Sequence, residues 1–210
     1  MLRHPLPAIC ALAVYASGVI AQDNLAGIPQ QTFTLDPSHT SVLFTVNHLG
    51  FSQYTGGFDN VTGTLQLDPA DPANAMLEIN IDVSSIDVPS PPDGFRDELL
   101  GPNFFDAAAH PTITFTSDEV TLTDNHSAVV TGTLSLHGVS QQVDLDVQFN
   151  GNSQANVFEP WARFGFSGQT TISRTAFDMG YGVPPEGSLI GVGDAVTVHI
   201  ETEWTGEVKE

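Results

Sequence analysis

Few side chains in this 210-residue sequence have chemical reach, and none stands at a catalytic spacing. Gly165-Phe166-Ser167-Gly168 approaches the nucleophile elbow Gly-x-Ser-x-Gly but falls one residue short. Gly191-Val192-Gly193 lacks the third glycine of a dinucleotide loop and opens no helix. The seven histidines are scattered, with no His-x-His or His-Glu-x-x-His pairing, so no metal site is expected. The single cysteine, Cys10, lies in an apolar leader, which leaves the rest of the chain without a thiolate, a disulfide or a cysteine-ligated metal. The expectation is a chain with no catalytic residue and no cofactor.

The cations are conspicuous because they are rare. Lys plus Arg is 5 against 25 Asp plus Glu, a net charge of −20. Nucleic acid and anionic membrane surfaces repel such a chain. Outside the leader the basic residues are Arg96, Arg163, Arg174 and Lys209. On an acidic protein a lone Arg ordinarily ends in an ion pair; the other use of a guanidinium is to hold a phosphate or quinone oxygen. Arg96 has Asp97 beside it, and Arg174 has Asp178 nearby. His48 shares a strand face with Val42, Phe44 and Val46. It is either a core histidine satisfied by a hydrogen bond or a polar group at the end of an apolar face.

What must position these residues is a set of strands, because the apolar period is two. Val42, Phe44, Val46 and His48 alternate with polar neighbours, and so do Leu77, Ile79, Ile81 and Val83. Further runs place Val130, Gly132, Leu134 and Leu136 on one side, then Val143, Leu145, Val147 and Phe149. Phe164, Phe166, Gly168, Thr170 and Ile172 share a side, as do Val196, Val198, Ile200 and Trp204. Weaker runs sit at 57–67 and 113–123. Turn pairs such as Asp68-Pro69, Asp124-Asn125 and His137-Gly138 punctuate them. About eight one-sided strands joined by short turns are predicted to pair antiparallel and close into a barrel or stack as a sandwich. One short helix is expected near 95–105, broken at Gly101-Pro102. The Pro-rich stretch Val88–Gly94 is a loop that no strand can contain.

The N-terminus reads differently. Ala8–Val14 is uninterrupted apolar sequence, and Val19-Ile20-Ala21 has the residues of a cleavage site. Residues 1–21 are expected to be a secretory signal peptide, with 22–210 forming one domain that is periplasmic or secreted and not inserted in a membrane.

A series of local signatures begins at Asp36-Pro37-Ser38-His39-Thr40-Ser41, followed by Phe44 and His48-Leu49-Gly50. It continues through Gly63-Thr64-Leu65, Arg96-Asp97-Glu98-Leu99-Leu100 and Asn103-Phe104-Phe105-Asp106. His110-Pro111-Thr112-Ile113-Thr114-Phe115, Gly132-Thr133-Leu134-Ser135-Leu136 and Ser173-Arg174-Thr175-Ala176-Phe177-Asp178-Met179 complete it. In this order the signatures resemble the YceI-like family of secreted polyisoprenoid-binding proteins. Leu99 stands where the family usually has His, and Ala176 and Asp178 replace an acid and a Gly. The resemblance implies an all-β, eight-stranded, lipocalin-like antiparallel barrel enclosing an isoprenoid-chain lipid, a prenyl quinone or a polyprenyl phosphate. It implies a binding protein that carries or stores this lipid, not an enzyme. Arg96, Arg174 and His48 are the expected head-group contacts. Phe44, Val46, Phe58, Phe104, Phe105, Phe115, Leu134, Phe164 and Phe166 are the expected apolar wall. Two rival readings are a barrel enzyme acting on a similar lipid through His48 and Asp97, and a stress-response protein with a filled core. A homodimer is left open.

Overall fold

The computed structural model describes residues 25–153, 156–157, 160–188 and 190–207. The expected signal peptide and Lys209 lie outside them. Among the described residues eleven strands form one antiparallel sheet: β1 (Gln31–Leu35), β2 (Ser41–His48), β3 (Ser52–Phe58), β4 (Val61–Leu67), β5 (Met76–Asp82) and β6 (Ile86–Asp87), then β7 (Thr112–Leu122), β8 (Ser127–Leu136), β9 (Val139–Ser153), β10 (Trp161–Ser173) and β11 (Val192–Glu207). The short helix α1 spans Phe95–Leu100, and chain beyond it continues as turns rather than helix.

The pairing turns eleven strands into eight staves. β1 and β2 both pair with β11, β3 and β4 pair with β2 and β1, and β6 and β5 pair with β3 and β4. Each of the first three staves is therefore one strand broken once. The breaks lie next to one another and are built from acids that satisfy the freed backbone. The Asp36 carboxylate accepts from Ser38 N–H at 2.9 Å, and Asp82 does the same for Ser84 at 2.8 Å. Asp59 N–H donates to the Ser85 carbonyl at 3.1 Å. From β7 to β11 the staves form an unbroken meander. β1 meeting β11 at Thr34↔Thr205 and Leu35↔Trp204 closes the barrel. β1 itself was not expected from sequence; Phe33 and Leu35 alternating with Thr32 and Thr34 carry its signal.

The closing seam is pinned from outside. Arg163 Nη1 donates to Asp36 Oδ2 at 2.7 Å and to Glu203 Oε2 at 2.6 Å. The Arg163 guanidinium, helped by His39 and the Ser38 amide against partial desolvation, holds the Asp36 carboxyl down at about 2. Asp36, His39 and Glu203 are close enough to share an ion, but Arg163 already bridges two of these three, so the cluster is an ion-pair lock.

One end of the barrel is plugged. Leu99 of α1, Phe177 and Met179 are buried there, with Val88 from the Pro-rich loop. Phe105 meets Phe58 edge-on at 5.7 Å. At the other end the 25–30 segment buries Leu25 and Ile28, and Phe33 packs edge-on against Phe164 at 4.7 Å.

Candidate ligand-binding cavity

Period-two patterning sends one face of every stave inward, but the inward side chains do not meet at the centre. They enclose a cavity of about 300 Å³. This volume lies at the lower bound of ordinary ligand sites, which run from roughly 300 to 1,000 Å³. The wall is almost wholly apolar and is drawn from every stave. It runs from Phe105, Leu136 and Met179 at the plugged end to Ala128, Leu122 and Leu25 at the other. On β8 alone the lining extends from Ser127 to Leu136. At roughly 3.3 Å per residue and a tilt of about 40°, that is roughly 20 Å of barrel axis. So small a volume over so long a path is a slender bore. It fits a single chain and excludes a broad fused ring. Its chief polar lining is the turn Asp124–Ser127 between β7 and β8.

Two glycines show how the wall is built. A Cβ on Gly132 would lie 2.4 Å from the Phe115 ring, and one on Gly56 would lie 2.4 Å from the Phe44 ring. The tip of each large ring therefore rests against the bare backbone of a neighbouring strand. Phe166 and Phe149 follow one another along the wall with centroids 5.6 Å apart, edge to face, and Phe164 packs behind Phe166 at the same distance.

Of the expected wall residues, Phe44, Phe58, Phe105, Phe115, Leu134 and Phe166 border the bore. Val46 and Phe164 are buried without bordering it. Phe104 lies outside as well, edge-on to Tyr181 at 5.3 Å. Sequence reasoning did not single out Ile79, Leu145, Val147, Ile200 and Trp204, which also line it; their own one-sided runs carried the signal.

The expected head-group residues sit elsewhere. Arg96 donates to the carbonyls of Ser84 and Ile86, tying α1 to the third stave. Arg174 is 7% exposed and donates to the carbonyls of Tyr181 (2.7 Å), Val192 and Gly193 (both 3.3 Å). Burial lowers its pKa, with Asp194 opposing. Its guanidinium carbon lies 5.9 Å from the Phe104 ring centre. Arg174 thus holds the β10–β11 connection over the plug. His48 is exposed, its ring 6.3 Å from that of Tyr54. None of the three borders the bore among its described lining.

Comparison with known proteins agrees with this architecture. A UPF0312 protein of Vibrio cholerae is 32% identical over 171 residues, covering 80% of this chain and 87% of the relative. One of Pectobacterium atrosepticum is 30% identical, covering 85% and 88%. Among solved structures, the Campylobacter jejuni YceI protein matches with a TM-score of 0.64 at 26% identity, covering 77% of this chain and 90% of that one. A polyisoprenoid binding domain from Saccharophagus degradans matches with a TM-score of 0.62 at 16% identity, covering 83% and 98%. The YceI-like domain model matches residues 33–204, which span the barrel from β1 into β11. By its closed eight-stave barrel and by that match, the chain belongs to the YceI-like family.

Proposed function

We propose that this protein is a periplasmic or secreted carrier that holds the chain of an isoprenoid lipid, such as a prenyl quinone, inside the barrel, and that it is a binding protein rather than an enzyme. The slender apolar bore carries this reading. Burying a methylene contributes about 0.8 kcal/mol, so each five-carbon prenyl unit grosses roughly 4 kcal/mol. A few units then reach roughly micromolar affinity after the costs of association. The same fold serves a polyisoprenoid binding domain in Saccharophagus degradans, which supports the ligand class. No helix among the described residues is long and apolar enough to cross a membrane. The leader-like residues 1–21 support export, and N-terminal sequencing of the mature protein is expected to begin at Gln22. The central test is mass spectrometry of organic extracts of the purified protein, with uptake of an added prenyl quinone. A bound prenyl lipid is the expected result; no extracted lipid together with no uptake refutes the proposal.

A further inference from the structure

The ladder between β9 and β10 stops partway. Its last rung toward the plugged end is Gln169↔Asp146. Beyond it, β9 stays paired with β8 as far as Val139, and β10 stays paired with β11 as far as Ser173. The two strands therefore part, each held by its other neighbour. Side chains bridge the gap: Thr170 Oγ1 donates to the Asp144 carbonyl at 2.8 Å, and Gln141 Nε2 donates to the Ala176 carbonyl at 3.0 Å.

The outside of a closed barrel is convex, but here the parting leaves a cleft of about 540 Å³. Its polar residues include Gln142, Asp144, Asp146, Gln169 and Ser173. Val143, Thr170 and Ile172 border both the cleft and the bore, so a wall one side chain thick separates the two. None of the described residues lining the cleft is Lys or Arg. Its carboxylates disfavour an anionic group. Its amides and hydroxyls both donate and accept hydrogen bonds.

We propose that the cleft between β9 and β10 is a side doorway to the bore and seats the uncharged, hydrogen-bonding head group of the lipid, such as a quinone ring or a hydroxyl. The inference rests on the bore being the tail site, and it assigns the head group a place and a charge. A phosphate head is disfavoured there. Thr170, Val143 and Ile172 are the side chains that yield when a tail passes.

The test uses Trp204, which lines the bore, in a Trp161→Phe background that leaves it the sole tryptophan. Four probes of equal chain length are titrated against its fluorescence: a prenyl quinone, the prenyl alcohol, the prenyl monophosphate and a headless prenyl hydrocarbon. The quinone and the alcohol are expected to bind at least tenfold more tightly than the phosphate. Gln142→Leu with Gln169→Leu is expected to weaken the quinone at least fivefold and leave the hydrocarbon unchanged. Asp144→Asn with Asp146→Asn is expected to bring the phosphate within threefold of the alcohol. All four positions are exposed, so these variants keep the fold, and circular dichroism verifies it. Hydrocarbon binding with no response of any head group to these substitutions, or tightest binding of the phosphate, overturns the doorway. Failure of all four probes, the hydrocarbon included, refutes the tail site itself.

Discussion

Narrowing the bore without touching any polar group is the sharpest trial of the tail-binding reading. Ala128 on β8 lines the bore opposite the plug and lies between Leu122 of β7 and Val147 of β9, both of which also line it. Ala128→Phe places an aromatic ring in that space, displacing about one prenyl unit. Five carbons at about 0.8 kcal/mol each forfeit roughly 4 kcal/mol of gross burial. A tail that shifts and repacks recovers about half, which leaves a loss of about 2 kcal/mol, or roughly 30-fold in Kd. The ring fills empty space lined by apolar groups, so the thermal midpoint is expected to hold or rise while binding falls. Trp204 fluorescence reads the affinity and scanning calorimetry reads the fold. Ala128→Leu is the milder companion, with about a third of the effect in kcal/mol. Unchanged affinity in a folded Ala128→Phe protein would show that the tail does not run through the bore.

Other perturbations test the frame around it. Asp36→Asn breaks the lock on the seam and is expected to cost about 2 kcal/mol at pH 7, since the folded carboxyl is held at about 2 against 3.8 ordinarily. At roughly 2–4 °C per kcal/mol, the melting temperature falls by about 4–8 °C. A depressed carboxyl stabilises above its unfolded value and loses that contribution as pH falls toward 2, so the gap between wild type and variant is constant from pH 7 to 5 and closes below about 4. Parallel curves through that range would contradict the lock. Arg174→Ala leaves the carbonyls of Tyr181, Val192 and Gly193 without their donor and is expected to lower stability by about 2–3 kcal/mol in denaturant titration. Prenyl alcohol affinity in that variant, measured where it is folded, is expected to stay within threefold of wild type; a larger loss would restore Arg174 as a head-group contact. Gly132→Val drives a side chain into the Phe115 ring and the Thr116 carbonyl, and is expected to cost about 1–3 kcal/mol by thermal melting and to weaken lipid uptake as Phe115 swings into the bore.

The staves were legible in the sequence because each needs only a local period of two, and six of the eight announce it in clear apolar runs, the other two in weaker ones. The breaks were harder to read. The weak run at 57–67 took in Val61–Leu67 and only the last two residues of Ser52–Phe58, because Gly56, Gly57 and Gly63 dilute the pattern. Gly56 and Gly63 are needed where the tips of Phe44 and Ile79, both of the bore wall, press on the backbone, so the feature that shapes the bore also hides the strand. The partners of the expected head-group residues were hidden for a different reason. Arg96 and Arg174 are rare cations at loop ends, which is also where unsatisfied carbonyls gather, and sequence alone does not show which partner a guanidinium meets. The β9–β10 cleft left no mark in the period at all, since Gln142 and Asp144 read as ordinary outward residues. It arises from each strand keeping its other neighbour, which is a property of the closed sheet.

The closing contact joins Leu35 to Trp204, residues about 170 positions apart, while the later staves pair with their neighbours in the chain. Hairpins between neighbours form early, and a contact of such long range forms late. A chain whose ends have not yet met presents a curved, unsealed sheet with two bare edges and a greasy concave face, the kind of surface prone to stick to its own copies. With 25 acids against 5 bases, two such sheets repel one another at every approach. The excess of negative charge protects the molecule most during the interval before its ends meet.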